Sequence, residues 1–580
     1  MANELVVKNG VISEGLIEYV TGVTGFGTNS VVPKSYVDSL LSGGITDALD
    51  NILIQDFSLN NTTTGGCNVA LGLSALSNNT SGQINVALGY RSLRCNTIGS
   101  FNVALGLNSL CSNTTGSSNV ALGTNALYSN TYGNHNVSLG TSTLSNPTAS
   151  YFNVALGYKA MSGATGGNDN IAIGRCTHFN NTSGTRNVSL GYSTLKYNTS
   201  GSCNIALGNL ALFNNQTGVN NISLGVCSMI SNTTGTYNVG IGSFTLRTNI
   251  LGYNNVAIGT SALCSNISNC NVAIGHANSL SNTTGARNVS IGPSSLRGNT
   301  TGIVNVAIGW CAMRCATVGS YNVAIGSQAL CNNTSGLDNI AIGRDSSRFN
   351  TTGYNNISIG RFSLCNPTSS CFNIALGYQS MRSATGPGGN DNIALGRFAH
   401  FNNTSGCNNV AIGLGALCSN TTGCSNVSIG LGTLPLNTTG NSNISLGANS
   451  LYSNTSGSYN ISFGAFSLKY NSSACDNISF GRNSLMYNTT GCNNIALGSG
   501  ALSSNVTGGY NVGIGPNVQS GGFTGSIILG AGAIASTGSQ LVLGSNTFPV
   551  GPIQGPGVYT ATHVINVVLN GSPYKILLTT

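Results

Sequence analysis

The chain repeats itself every 17 residues. Asn68-Val69-Ala70-Leu71-Gly72 returns as Asn85-Val86-Ala87-Leu88-Gly89, and again at Asn102, Asn119 and Asn136. The step holds through Asn255, shortens to 16 at Asn271, resumes through Asn373, lengthens to 19 at Asn392 and continues to Asn511. All 27 copies begin with Asn and carry Gly four residues later. The second residue is always Val or Ile, the third Ala, Ser or Gly, and the fourth Leu, Ile or Phe. A unit this short cannot bury an apolar side alone, so successive copies must stack on one another.

Alternation with period two puts Val69 and Leu71 on one side of a short strand, and Asn68 and Ala70 on the other. The expectation is a core of Val69, Leu71, Val323, Ile325 and their equivalents. The Asn column (Asn68, Asn85, Asn102, Asn119, Asn136) is expected to form a ladder of side-chain amides. Gly72, Gly89 and Gly106 permit the bend that ends each strand. A second apolar spot follows, as at Ala75-Leu76 and Ala126-Leu127, then a turn such as Asn113-Thr114-Thr115-Gly116. The fold class is therefore all-β, a parallel β-solenoid of 17-residue coils. Stacked at ~4.8 Å per coil, the 27 copies make a shaft of about 130 Å. The small third residue implies close packing against another coil face or another chain.

Composition restricts what such a shaft does. Charged residues are only 6% of the chain, and the net charge of +8 is spread over 580 residues. No Lys/Arg cluster tracks phosphates, so nucleic acid is not an expected partner. Residues 1–10 lack the basic start and apolar run of a secretory signal. No segment reaches the ~18 apolar residues that span a bilayer as a helix. Synthesis in the cytoplasm without membrane insertion is the expectation.

Asn-Val-Ala-Ile-Gly, at Asn255, Asn271, Asn305 and Asn322, resembles the head repeat of YadA-like trimeric adhesins. The resemblance covers residues 68–544 and implies a left-handed parallel β-roll whose chains associate in threes. Two later copies, Ser526–Gly530 and Gln540–Gly544, lie 14 residues apart and are similar to that family's shorter repeat. The longer main period departs from it. A second level of repetition exists: Arg94-Cys95-Asn96-Thr97 recurs as Arg314-Cys315-Ala316-Thr317, and Asn146-Pro147-Thr148 as Asn366-Pro367-Thr368, both offset by 220 residues. A duplicated block suits a shaft of adjustable length.

Four regions follow. Residues 1–58 form an N-terminal attachment region, with a short helix starting at Lys34-Ser35-Tyr36-Val37-Asp38 and Ile45, Leu49 and Ile52 on one helical face. Residues 59–515 are the shaft. Residues 516–549 are degenerate, shorter terminal coils. Residues 550–580 are a C-terminal tip, where His563–Leu569 and Tyr574–Leu578 flank an Asn570-Gly571 hairpin turn. The Lys34–Asp38 stretch and the C-terminal hairpin resemble the ends of tail-fibre proteins of bacterial viruses.

Candidate chemistry is sparse. The 18 cysteines are scattered over repeat positions. Cys407 and Cys424 share a column, as do Cys475 and Cys492, within disulfide reach, and free thiols are the reading adopted. Cys311 and Cys315 have no second pair to complete a zinc site. His178 and His400 replace Leu at a core-facing position and are weak metal candidates if three chains bring their imidazoles together. Gly166-Gly167-Asn168-Asp169 and Gly388-Gly389-Asn390-Asp391 read as enlarged turns. Asn-x-Thr triplets, as at Asn113 and Asn282, arise from the turn consensus. Aromatic residues before the Asn column (Phe101, Phe152, Tyr237, Tyr321, Phe372, Tyr459, Tyr510) cover coil edges or a seam between chains. No catalytic constellation stands out and no cofactor is implied. The expectation is a structural, non-enzymatic fibre, located on a virion and mediating attachment to a host. Its partners are itself as a homotrimer, a virion protein at the N-terminus and a host-surface glycan or protein. The alternatives are a cell-surface adhesin or extracellular filament and, ranked low, an ice-binding solenoid.

Overall fold

The computed structural model describes residues 51–54, 64–384 and 389–547, together with the strands His563–Leu569 and Ser572–Leu578. The expected helix from Lys34 and the Asn570-Gly571 turn lie outside the described residues. The chain divides into two units, Met1–Asn356 and Ile357–Thr580. In the first, three-residue strands from Ile52–Ile54 to Ile340–Ile342 pair in parallel in sequence order. In the second, strands from Ile357–Ile359 to Leu541–Leu543 do the same. This is the parallel β-solenoid that the period implies.

Like residues sit on like. Val69 pairs with Val86, Ala70 with Ala87 and Leu71 with Leu88. The irregular steps do not shift the register: Val256 still faces Val272 across the 16-residue coil, and Ile374 faces Ile393 across the 19-residue one. The residue missing from the shorter coil is lost from its turn, where Asn266 Nδ2 donates to the Ser268 carbonyl at 2.9 Å. Among the described residues the ladder also extends one coil before the recognisable motif. Ile52–Ile54 pairs with Val69–Leu71, and Asn51 accepts the Asn68 N–H at 2.7 Å. Ile52 is therefore a strand residue and does not share a helical face with Ile45 and Leu49. Gln55 stands where later copies carry Gly, which hid this coil.

Backbone geometry explains why the strands are so short. In the coil that starts at Asn102, Gly106, Asn108, Leu110 and Ser118 all have positive φ, at 124°, 54°, 49° and 58°. Three of these are not glycine, and each such residue costs about 1 kcal/mol or more. Stacking offsets the strain, because each bent residue hands its N–H to a neighbouring coil. Asn108 donates to the Tyr90 carbonyl, Leu110 to Ala126 and Ser118 to Ser100, all at 2.9 Å. At Gly89 no side chain fits: φ is 132°, and a Cβ would lie 2.6 Å from the Gly106 carbonyl oxygen.

The side that faces the interior reverses one expectation. Val69 is half-buried and Leu71 is 40% exposed, while Ala70 and Asn68 are fully buried. The same pattern holds at Val323 and Ile325, which are half-buried around a buried Ala324. Val69, Leu71, Val323 and Ile325 are thus outward residues. The alternation was read correctly, but the core lies on its other face. The reason is volume. The interior of a 17-residue coil is filled in most copies by one larger side chain at its ninth residue, as at Leu76, Leu93 and Leu110, each at 0% exposure. Opposite it there is room only for Ala, Ser or Gly. A Cβ added to Gly240 would already lie 2.9 Å from the Ser228 hydroxyl and 3.0 Å from Met229 Cε. The small third residue therefore packs across its own solenoid.

Where that third residue is Ser, its hydroxyl is satisfied through chains that run along the interior. Ser445 donates to Ser450, Ser450 to Ser462, Ser462 to Ser467 and Ser467 to Ser479, at 2.7–2.9 Å. The shorter terminal coils exchange the two volumes. Ile528 is buried at the third position, and Val518 and Ala533 fill the opposite side. The Asn ladder closes there on Ser526, whose N–H donates to Asn511 Oδ1 at 2.9 Å. Beyond it, His563–Leu569 and Ser572–Leu578 pair antiparallel, His563 with Leu578 and Leu569 with Ser572, as the hairpin pattern implies.

Candidate functional site

Two internal amide ladders hold the coils. In the first, Asn85 Nδ2 donates to Asn68 Oδ1 at 3.1 Å and to the Gly99 carbonyl at 2.9 Å, while its backbone N–H donates to Asn68 Oδ1 at 2.9 Å. In the second, formed by the turn asparagines, Asn96 Nδ2 donates to Asn79 Oδ1 at 2.8 Å and to the same Gly99 carbonyl at 2.9 Å. One turn carbonyl is thus clamped by both ladders. Most of these buried amides are paired, so they stabilise the stack at little desolvation cost, and the second ladder breaks where the next coil lacks the turn Asn, leaving Asn130, Asn299 and Asn350 Oδ1 without a partner. Sequence reasoning found the first ladder and missed the second. Its signal was the fixed three-residue spacing from turn Asn to turn Gly. The ladder also settles the Asn-x-Thr triplets: Asn113 and Asn282 are at most 1% exposed.

His178 and His400 occupy the ninth-residue column and are fully buried. Each Nε2 lies against one amide of the second ladder, Asn198 Nδ2 at 3.3 Å and Asn420 Nδ2 at 3.2 Å. Each Nδ1 has no partner. Burial lowers the His178 pKa to about 4 and the His400 pKa to about 3. Both rings point into their own solenoid, so copies from three chains cannot converge on an ion through them. Among the described residues no group of three His, Cys, Asp or Glu side chains is arranged to hold a metal.

The outer surface carries three features. The first is the apolar face of the strands, where Val/Ile and Leu/Ile/Phe columns run side by side, with Ile171 39%, Ile173 36%, Leu190 41% and Ile514 43% exposed. The second is a chain of guanidinium and aromatic groups in the second unit. Arg361 lies 4.9 Å from the Phe362 ring centroid, Arg382 lies between Phe362 and Phe401, and Arg397 lies 4.8 Å from Phe398. The first unit has a counterpart in Arg175, between Tyr158 and Tyr192. The third is a shallow groove of about 520 Å³ beside the stacked Tyr470 and Tyr487, floored by Thr489, Ser504 and Val506. The aromatic residues that precede the Asn column are exposed, from Phe372 at 48% to Tyr510 at 67%. All seven adopt positive φ.

Buried charge is confined to one place among the described residues. Asp345 is 7% exposed and is held by Arg348 at 3.2 Å. The turn Gly166–Asp169 hydrogen-bonds to its neighbour, with Asn168 Oδ1 accepting the Tyr151 N–H at 2.9 Å. In its duplicate, Gly388 lies outside the described residues. Neither a protein-family model nor any curated protein matches this chain.

Proposed function

We propose that this chain forms the shaft of a homotrimeric fibre carried on a virus particle. Its N-terminal region docks on a virion protein, the solenoid supplies reach, and the C-terminal hairpin region meets a host-surface glycan or protein. The observation that carries the reading is the outward apolar face. A soluble monomer rarely exposes a contiguous apolar patch larger than a few hundred Å². Here two columns of branched and aromatic side chains recur in every coil, with no polar residue among them in 27 copies. A second and a third copy of the same face would cover it. The YadA-like repeat motif and the fibre-like ends support the same assembly.

Sedimentation or mass photometry tests it. The native particle should have three times the chain mass of 58.9 kDa. Val103→Asp with Val120→Asp should leave the coils folded, because both side chains point outward, and should lower the denaturant concentration at which the particle separates into single chains. A single chain in the unmodified protein, or an unchanged separation midpoint in the variant, counts against the proposal.

The Arg–aromatic chains favour a second reading, an adhesin that recognises ligands along its side. Deleting residues 102–135 removes two coils in register, and deleting residues 550–580 removes the hairpin region. Loss of host binding only in the second deletion supports the fibre-tip reading, and loss only in the first supports the adhesin. The ice-binding alternative needs free Thr hydroxyls in a flat array. The regular Thr column is instead committed to the backbone: Thr97 Oγ1 donates to the Thr114 carbonyl and Thr114 Oγ1 to Thr131, both at 3.0 Å.

A further inference from the structure

Cys407 and Cys424 occupy the same turn position in successive coils of the second unit. Their sulfurs lie 2.9 Å apart, closer than two unbonded sulfurs normally rest. The Cys407 N–H also donates to Cys424 Sγ at 3.2 Å. Parallel coils in register place equivalent Cα atoms ~4.8 Å apart, inside the ~4.4–6.8 Å range that a disulfide spans. Both side chains are half-exposed, so a small reagent reaches them. Cys371, in the same column, faces Asn390 instead, and the other successive pair, Cys475 and Cys492, is joined by a backbone contact, with the Cys475 N–H donating to Cys492 Sγ at 3.1 Å.

We propose that Cys407 and Cys424 are a built covalent staple, closed by thiol–disulfide exchange with a low-molecular-weight disulfide, that locks two successive coils together. The two thiols are not equivalent. Cys407 donates its S–H to Cys424 Sγ, and this hydrogen bond, with burial second, raises the Cys407 pKa. Cys424 Sγ receives both the S–H and the N–H of Cys407 and donates its own S–H to the Thr422 carbonyl at 3.5 Å. Cys424, whose proton is not shared with the other sulfur, is assigned as the attacking sulfur. Its sulfur bonds to one sulfur of the reagent, whose S–S bond breaks and releases one thiolate. Cys407 then loses its proton and attacks Cys424 Sγ, and the second reagent thiolate leaves. Two protein thiols and one reagent disulfide become one protein disulfide and two reagent thiols.

The test uses the full chain, prepared reduced, exposed to oxidised glutathione, quenched with a maleimide and mapped by peptide mass. The expected result is a Cys407–Cys424 peptide two hydrogens lighter than the thiol pair. It should appear before any Cys475–Cys492 link and before adducts accumulate on the exposed Cys67 and Cys203. On a non-reducing denaturing gel the oxidised protein should run as a single chain. In Cys407→Ser, attack on the reagent cannot be resolved, so a stable glutathione adduct should accumulate on Cys424. Recovery of Cys407 and Cys424 as separate maleimide or glutathione adducts overturns the proposal. So does a cross-link between chains, or Cys407→Ser without the adduct on Cys424.

Discussion

Replacing Asn322 by Ala removes one rung of the first ladder. The Asn322 Nδ2 group donates to Asn305 Oδ1 at 3.2 Å, to the Ser320 carbonyl at 3.0 Å and to the Gly336 carbonyl at 2.9 Å. Its Oδ1 accepts both the backbone N–H and the Nδ2 of Asn339, each at 3.0 Å. The substitution leaves the buried Asn339 N–H without an acceptor, at about 1–3 kcal/mol, and deletes about three further net bonds worth ~1 kcal/mol each. The total, about 4–6 kcal/mol, corresponds to a roughly 10³- to 10⁴-fold rise in local opening. In a solenoid stability is a sum over neighbouring repeats, so the effect should stay local. Hydrogen exchange read by peptide mass should show the loss of protection in the coils from Asn305 to Asn356 and none near Asn102. Asn332→Ala is the control, because Asn332 is half-buried and contributes only its backbone N–H, to the Arg348 carbonyl. Equal exchange in the two variants would refute the claim that buried amides hold the stack.

Three further outcomes follow from the same geometry. Ala324→Leu adds three carbons to a filled interior and should destabilise by at least ~1–3 kcal/mol in urea titration, whereas Val323→Leu, on the outer face, should leave the coil intact. The buried histidines should make the protein acid-sensitive. Their folded pKa values, about 4 and about 3, lie below the ordinary 6.5, so their stabilising contribution is complete above pH 6.5 and falls away as pH drops toward 4 and then 3. The loss amounts to about 3 kcal/mol at His178 and about 5 kcal/mol at His400, and His178→Leu with His400→Leu should flatten the acid limb of the urea midpoint against pH. Gly89→Ala forces a Cβ to 2.6 Å from the Gly106 oxygen and should abolish protection in its own and the following coil by hydrogen exchange.

Much of this architecture is written in the spacing. The period, the strand, the bend at Gly72 and the pairing of Val69 with Val86 all follow from the return of one five-residue motif. The hairpin from His563 to Leu578 was legible on a different signal, two apolar runs flanking Asn570-Gly571. What alternation does not contain is which of its two faces is inside. Val and Leu are the apolar choice, and in a globular domain they would be the core. In a coil this narrow, size decides instead: the third residue is never larger than Ser in 27 copies, and the Asn beside it never varies. Those are the stricter constraints, and they mark the interior. The second ladder was hidden because Asn in a turn has a local explanation, and only stacking shows that Asn96 reaches Asn79. The position of His178 within the core was legible from its replacement of Leu, while the amide it meets, Asn198, lies in the next coil. The sulfur contact of Cys407 depends on side-chain rotamers that spacing does not specify.

The central claim is that the small and amide residues fill each solenoid while the Val and Leu columns join three copies of it. Cryo-electron microscopy of the assembled particle tests both halves at once. The account predicts three parallel solenoids, with Asn102 and Ala104 inside each and Val103 and Leu105 facing the neighbouring chains. A solitary solenoid with Val103 and Leu105 in solvent, or an assembly joined through a different face, would contradict it.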